Sequence, residues 1–180
     1  MASPISEDDI EQALLQKLQH VHGYDVLECG TAEREDLADG SGRADKREVF
    51  LLDQLRAAAV ALNPGVPESA IDGALEVLVA RRPALAPVAA NLEVYELIRD
   101  GVPVAYDDAQ GRRQHGRVRV IDFAEPASPL NRFTAVSQLW IRGEEGFRRP
   151  DVLLYVNGLP LVFLELKNAK NELRLAYDDN

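Results

Sequence analysis

Apolar positions along the chain first follow a helical period and later gather into short runs typical of strands. Residues 10–21 place apolar side chains on one face of a helix, and Gly23 is suited to end that helix before a strand over 24–28. Further helices are predicted over 46–62, 67–79, 87–99 and from Asn171 onward, with residues 31–45 as a polar surface loop. Further strands are predicted over 116–123, 132–142, 151–156 and 161–166. The pattern predicts one α/β domain with a central mixed or antiparallel sheet flanked by helices.

The last two predicted strands are joined by Asn157-Gly158, a dipeptide that strongly favours a two-residue hairpin turn. Because successive strand residues point to opposite faces, Glu165 and Lys167 share one face at the end of the second strand. Charged side chains at the end of a buried strand cost free energy unless another group pairs with them. These two residues therefore form either a structural ion pair or part of a chemical site.

A second carboxylate, Asp151, follows Pro150 at the start of the hairpin, which gives the order P-D followed by E-x-K. Two carboxylates on adjoining strands would form an oxygen-rich site suited to Mg²⁺, which can polarise a phosphodiester and activate water. Lys167 would then lie where it can orient that water or stabilise charge on the phosphate. The spacing alone recurs by chance, so an unrelated acidic α/β domain with a structural Glu165–Lys167 pair is an open alternative.

A shared cation would also constrain the strand register of the hairpin, because two carboxylates can bind one cation only from the same face of the sheet. A regular two-residue turn would place Asp151 opposite Leu164 and send Glu165 to the other face. Pro160 has no N–H for the ladder and is typical of strand starts and bulges. We therefore predict a three-residue loop or a bulge between Asp151 and Glu165, with their carboxylates converging beside Lys167.

Longer stretches of the sequence resemble a known family. The segment "RRPDVLLYVNGLPLVFLELKNAK" resembles the N-terminal nuclease segment of the R (HsdR) subunit of type I restriction-modification enzymes, within the PD-(D/E)xK superfamily. The segments "SEDDIEQALLQKLQHVHGYDVLECG", "NRFTAVSQLWIRG" and "LRLAYDDN" resemble the first helix, an N-x-F-x-V-x-Q strand and the start of the helix after the catalytic strand. The similar segments lie toward both ends of the chain, whereas residues 31–110 contain no motif that is diagnostic of the family.

The resemblance implies a restriction-endonuclease-like core with the activity of a type I site-specific deoxyribonuclease. By that resemblance Asp151 and Glu165 would bind Mg²⁺, and Lys167 would be the catalytic lysine. Many members of the superfamily add an acid from the first helix, for which Glu11 is the candidate and Glu7 the reserve. Acids near a helix N-terminus also favour the helix dipole without any chemistry, so a purely structural role is the alternative for both.

Basic and polar residues around the motif are candidate DNA contacts: Arg148, Arg149, Lys170 and Asn180. The formal charge is −10, but 21 of the 30 acidic residues and only 9 of the 20 basic residues lie within residues 1–110. DNA binding depends heavily on Lys and Arg. The chain is therefore expected to bind DNA weakly by itself, with DNA delivered by other parts of the complex.

The sequence lacks several features that would indicate a disulfide-rich, membrane-spanning or nucleotide-binding protein. The chain has one cysteine, Cys29, no apolar run as long as a membrane helix and no nucleotide-binding loop. By resemblance, residues 1–180 are expected to be the single N-terminal endonuclease domain of a longer cytoplasmic subunit whose ATP-driven motor lies elsewhere. Its partners would be double-stranded DNA and the methylation and specificity subunits, with no membrane. A docking or assembly module without chemistry is the second alternative, and its mark would be a missing Asp, Glu or Lys of the motif.

Overall fold

The computed structural model describes residues 6–124 and 128–167. In chain order its elements are α1 (Glu7–His22), β1 (Asp25–Glu28), α2 (Leu52–Leu62), α3 (Glu68–Val79), α4 (Pro87–Asp100), β2 (Val102–Asp107), β3 (Arg113–Val118), β4 (Phe133–Ser137), β5 (Ile141–Gly143), β6 (Gly146–Arg148), β7 (Val152–Val156) and β8 (Leu159–Leu164). They belong to two compact units, Met1–Leu51 with Arg132–Asn180, and Leu52–Asn131. That residues 1–180 act as one endonuclease domain stays a prediction, and the helix predicted from Asn171 lies outside the described residues.

The first unit is built on a four-stranded sheet with the order β1-β4-β7-β8. Strand β1 is parallel to β4, whereas β4, β7 and β8 pair antiparallel, so the sheet is mixed. Helix α1 covers one face, where Leu15 and Leu18 pack with Ala135 and Val152. The other face holds a second cluster that includes Cys29, Leu51, Val136, Leu139, Leu153 and Tyr155. The predicted α/β class with a central mixed sheet is confirmed, and the arrangement is consistent with a restriction-endonuclease-like core.

Helix α1 is fixed at both ends by its own sequence. Ser6 caps the N-terminus in a reciprocal pair with Asp9, and Gly23 ends the helix in a left-handed conformation with φ of 71°. Along the helix, Glu11, Leu15 and Leu18 are all buried, which is the spacing of one helix face. A carboxylate therefore lies on the same buried stripe that packs against the sheet.

The second unit contains helices α2, α3 and α4 and the antiparallel hairpin β2–β3. Asn63, directly after α2, ties the backbone of Arg119 by two hydrogen bonds: its Nδ2 donates to the Arg119 carbonyl at 2.7 Å, and its Oδ1 accepts from the Arg119 N–H at 2.9 Å. The predicted helices over 67–79 and 87–99 match α3 and α4 to within one residue at each end. None of the described helices has the length and apolar character needed to cross a membrane.

Residues 31–45 contain no helix or strand, as predicted, but this loop and the residues that follow it are organised around buried charges. The Asp39 carboxylate is buried and accepts hydrogen bonds from Arg43 at 2.9 Å and from Lys46 at 2.8 Å. The Lys46 ammonium is paired with Asp39 in this buried cluster of Asp39, Arg43 and Lys46, and α2 begins at Leu52 rather than at residue 46. The helical pattern of residues 46–51 was overridden by a buried ion pair that no local periodicity reveals.

Three predicted strands have different bounds in the structure. The strand predicted over 132–142 ends at Ser137, because Gln138 adopts a left-handed backbone with φ of 55°. The chain then forms β5, which pairs with β6, and strand β6 was not predicted. The strand over 116–123 is β3, shifted to earlier residues and paired with β2, which was also missed. Pro103 weakened the strand signal of β2, yet proline is tolerated in a two-stranded ribbon whose strands are both edges. The strand over 161–166 is β8, which begins and ends two residues earlier.

Candidate active site

The β7–β8 hairpin turns through Asn157 and Gly158, which have φ of 52° and 78°. Both values are left-handed, as a two-residue turn that follows the twist of its strands requires. The Asn157 side chain is buried, and its Oδ1 accepts a hydrogen bond from the Arg132 backbone N–H at 2.6 Å. The turn is thereby anchored to the residue that precedes β4.

A β-bulge in β8 changes the register of this hairpin. Tyr155 pairs with Pro160, but the next residue of β7, Leu154, pairs with Val162, so Leu161 is an extra residue in its strand. The predicted irregularity is confirmed as a bulge, and it lies directly beside Pro160. The turn itself has two residues, so the alternative of a three-residue loop is excluded.

Asp151 and Glu165 each lie one residue beyond the end of the paired strands. Beyond the bulge Val152 pairs with Leu164, which is the last pair of the two strands, and extending that register by one residue would set Asp151 opposite Glu165. Residues directly opposite in an antiparallel pair project from the same face. The Asp151 carboxylate is further fixed because its Oδ2 accepts a hydrogen bond from the Leu166 N–H at 2.6 Å.

Glu165 has two carboxylate oxygens in different situations. Its Oε1 lies 3.3 Å from the Lys167 ammonium, and both side chains are less than one-fifth exposed. Its Oε2 is buried and has no hydrogen-bond partner among the described residues. A buried polar atom without a partner is costly and calls for a physical explanation, of which an ion is one.

Lys167 lies among several carboxylates. Its hydrogen bond to Glu165 raises the pKa of Lys167, burial opposes that rise, and the charges of Glu165, Glu7 and Asp151 add to it. The ammonium is therefore held in its charged form at neutral pH. The reserve candidate Glu7 acts on this group through its charge.

Glu11 approaches the same place from α1. Its side chain is buried, and its Oε2 accepts a hydrogen bond from Gln138 Nε2 at 2.5 Å. Burial raises the pKa of Glu11, the Gln138 amide lowers it, the charges of Asp151 and Asp8 raise it, and that of Arg149 lowers it. Glu11 is thus within electrostatic range of Asp151, and the structure brings the helix acid to the motif.

The candidate DNA contacts Arg148 and Arg149 are exposed on the segment that leads into Asp151. The Arg149 guanidinium stacks 4.9 Å from the centre of the Trp140 ring, and its charge reaches Glu11. Arg148 ends β6 and pairs with Ile141. Lys170 and Asn180 lie outside the described residues.

Comparison with known proteins identifies the family. The family model described as "Type I restriction enzyme R protein N terminus" matches residues 4–179. The chain belongs to this family. It is also 40% identical over 173 residues to the type I restriction enzyme HindI endonuclease subunit of Haemophilus influenzae (strain ATCC 51907 / DSM 11121 / KW20 / Rd). The match covers 93% of this chain but 15% of the relative, and no solved structure matches.

The donor set of this R-protein N-terminal chain suits a hard divalent cation. Within residues 6–124 and 128–167, no three His, Cys, Asp or Glu side chains are gathered closely enough to hold a metal ion. Mg²⁺, however, retains several waters and is commonly bound by one or two carboxylates. Asp151 and Glu165, which lie just beyond the paired ends of β7 and β8, fit that mode of binding, as does the Glu165 Oε2 that lacks a hydrogen-bond partner among residues 6–124 and 128–167.

Gln138 is the residue at this site that the sequence did not single out. It ends the "NRFTAVSQ" segment, donates its backbone N–H to the Asp151 carbonyl at 3.0 Å and donates its side-chain amide to Glu11. The only available signal was its place as the final residue of the strand that resembles the family pattern. A glutamine at a strand end has no chemical signature of its own.

Proposed function

We propose that the chain is the Mg²⁺-dependent endonuclease domain of a type I R subunit, which hydrolyses DNA phosphodiester bonds after ATP-driven translocation by a motor elsewhere in that subunit. The observation that carries this proposal is the bulge at Leu161, because extending the register beyond it would set Asp151 opposite Glu165. A hairpin with regular strands would have separated the two carboxylates to opposite faces. The family of the chain and the name of its relative as an endonuclease subunit support the same activity.

Asp151 and Glu165 would hold the cation, with Glu11 as a further acid. When bound there, Mg²⁺ would polarise the phosphodiester and lower the pKa of a water. The Leu166 N–H holds Asp151 in place by a hydrogen bond to one carboxylate oxygen. The Oε2 of Glu165 has no hydrogen-bond partner within the described part of the chain, which makes it a candidate oxygen for a cation.

Lys167 supplies positive charge without a change of protonation. Glu165 holds its ammonium at 3.3 Å, and the surrounding carboxylates keep that ammonium protonated. A fixed, partly buried cation stabilises negative charge on a phosphate more strongly than one surrounded by water. We assign Lys167 to the phosphate or to the orientation of the attacking water.

DNA contacts from this chain would be few. Arg148 and Arg149 are exposed residues on the segment that leads into Asp151, and their guanidinium groups are of the kind that binds phosphate oxygens. The net charge of −10 opposes close approach of DNA elsewhere on the surface. We therefore assign the delivery of double-stranded DNA to the motor and to the methylation and specificity subunits with which an R subunit would assemble.

A non-catalytic docking module is the second candidate. The mark expected of such a module, a missing Asp, Glu or Lys of the motif, is absent, because Asp151, Glu165 and Lys167 are all present. The contacts of Lys167 with Glu165 and of the Leu166 N–H with Asp151 are nevertheless compatible with a purely structural role. Such a module would use these contacts only to hold the end of β8. The unpartnered Glu165 Oε2 is not explained by that role.

The test is substitution in the intact R subunit, assembled with its partner subunits. Asp151→Asn and Lys167→Ala should each abolish DNA cleavage, while ATP hydrolysis and translocation continue at the rates of the unmodified complex. Lys17→Ala, which removes an exposed lysine on α1, is the matched control and should cleave normally. Retained cleavage by either site variant would end the catalytic assignment of that residue and favour the docking module.

A further inference from the structure

Gln138 adopts a backbone conformation that is rare for its residue type. Its φ of 55° is left-handed, a region in which non-glycine residues other than Asn and Asp are uncommon and strained. The backbone N–H of Gln138 donates to the Asp151 carbonyl at 3.0 Å, which holds this conformation against β7. Gly30 lies so close that a Cβ atom added there would be 3.3 Å from the Gln138 Cβ. The surrounding structure thus maintains a strained residue at the site, as is common where strain serves a function.

The side chain of Gln138 reaches the other proposed acid. Its Nε2 donates to Glu11 Oε2 at 2.5 Å, across 127 residues of sequence. One residue therefore touches the Asp151 backbone with its own backbone and the Glu11 carboxylate with its amide. A turn back to an ordinary strand conformation would break at least one of these two contacts.

An amide is well suited to this position. An ionised carboxylate only accepts hydrogen bonds, and an amide N–H₂ donates without adding charge. A second carboxylate would add to the repulsion between Glu11 and the charges of Asp151 and Asp8. A lysine would compete with a cation for the same oxygens. Gln138 can therefore orient Glu11 and leave its charge available.

We propose that Gln138 is a positioning residue, which holds Glu11 within electrostatic range of Asp151 so that the charge of Glu11 strengthens the binding of a cation held by Asp151 and Glu165. This inference rests on the proposed function. Outer groups that hydrogen-bond to metal-ligating side chains fix their orientation and contribute to metal affinity. Gln138 acts through Glu11 and Asp151 and makes no contact with the reacting atoms.

The first test separates the side chain from the backbone. Gln138→Asn keeps an amide and tolerates the left-handed backbone, but it is one methylene too short to reach Glu11. Gln138→Gly relieves the strain and removes the side chain. In the assembled complex, both should raise the Mg²⁺ concentration for half-maximal cleavage by about 10- to 100-fold, with unchanged ATP hydrolysis.

Direct binding provides a readout other than activity. Mn²⁺ binding to the intact R subunit without nucleotide can be followed by the electron paramagnetic resonance signal of free Mn²⁺. Asp151→Asn defines the part of that binding that belongs to this site. Gln138→Asn and Gln138→Gly should weaken the same part by a similar factor, at unchanged or higher Tm for the glycine variant.

A double-mutant cycle distinguishes positioning from general structural damage. In a Glu11→Ala background, Gln138→Asn should cause no further loss of Mn²⁺ affinity, because the contact is already absent. An equal loss in both backgrounds, or normal Mn²⁺ binding by Gln138→Asn alone, would overturn the inference. If Asp151→Asn itself retains Mn²⁺ binding and cleavage, the proposed function fails and this inference fails with it. If Asp151→Asn loses both while Gln138→Asn behaves normally, only the positioning role is wrong.

Discussion

Acidic residues are concentrated at this site at the expense of stability. Glu11 is buried on the inner face of α1 with the charge of Asp151 nearby, and Glu165 has a buried oxygen without a partner among the described residues. Burying a carboxylate disfavours its charged form, which is why the pKa of Glu11 is raised. An arrangement that opposes folding in this way is expected where the charges serve a cation.

Glu11→Gln should therefore stabilise the protein in the absence of divalent cations. A carboxyl whose pKa is raised by folding opposes folding at pH values above its folded pKa, and this penalty disappears below its unfolded pKa of about 4.3. The variant should have a higher Tm at pH 7, and the gain should vanish as the pH falls below that value. Melting curves between pH 3 and 8 in EDTA measure this, and a lower Tm for Glu11→Gln at pH 7 would contradict the account.

Single residues of the site differ in how far the sequence could predict them. Asp151, Glu165 and Lys167 are recognisable because their types and spacing match a nuclease motif. Gln138 is not, because its role depends on α1 lying over the sheet and on a left-handed backbone that no periodicity indicates. Glu11 was predictable only as one acid among several near the start of α1.

At the level of elements, one extra residue determines whether the two strands of the hairpin form a site. The bulge at Leu161 was predictable in outline, because Pro160 and the required facing of Asp151 and Glu165 both indicated an irregularity. The sequence did not show whether the irregularity would be a bulge or a longer loop, since a three-residue loop would also have set Asp151 and Glu165 on the same face. Leu161 itself is substantially exposed, so its contribution comes from its backbone.

Deleting Leu161 should restore a regular register and turn Glu165 to the opposite face. We expect loss of cleavage in the assembled complex and loss of Mn²⁺ binding by the R subunit. Leu161→Ala keeps the number of residues and should retain both, which makes it the control. Circular dichroism would verify that the deletion variant is folded, and cleavage by a folded deletion variant would refute the role of the bulge.

The buried cluster of Asp39, Arg43 and Lys46 is a second element that local patterns did not reveal. Burial alone would raise the pKa of Asp39, but hydrogen bonds from Lys46, Ser41 and Arg43 hold that pKa well below its usual range. The stabilisation is fully present above the unfolded carboxyl pKa of about 3.9 and is lost as the pH falls further, toward the folded pKa.

Asp39→Ala should leave two buried cations unpaired and lower the free energy of unfolding by about 3–5 kcal/mol. Urea unfolding at pH 7 measures the loss. The pair Asp45–Arg47 is exposed, so Asp45→Ala is a matched control that should change stability by less than about 1 kcal/mol. A loss for Asp39→Ala no larger than that of the control would show that the cluster does not stabilise this segment.

For the whole molecule, the fold class could be predicted from the order of helical and strand-like patterns. The two small hairpins, β2–β3 and β5–β6, could not be predicted in this way. Strands β5 and β6 have three residues each, and β2 contains Pro103, so neither pair carries a long apolar run. The acidic first part of the chain was visible in the sequence, but the packing of its buried charges depends on distant contacts such as that of Arg43 with the Trp140 carbonyl.

The charge of −10 leads to a prediction for the 180-residue chain by itself. We expect it to fold but to cleave plasmid DNA poorly, even with Mg²⁺, because it would lack the means to hold DNA. Incubation of the purified chain with supercoiled plasmid and Mg²⁺ measures this directly. Efficient cleavage without ATP that is abolished by Asp151→Ala would show that no motor is required.

A crystal structure with bound Mn²⁺ would show whether Asp151 and Glu165 share one divalent cation, as we propose. Anomalous scattering locates Mn²⁺ without reference to the protein. The account predicts a Mn²⁺ peak in contact with a carboxylate oxygen of each residue, with Lys167 alongside, and no such peak in an Asp151→Asn crystal prepared in the same way. Carboxylates on opposite faces of the sheet, or Mn²⁺ bound only at other positions, would contradict it.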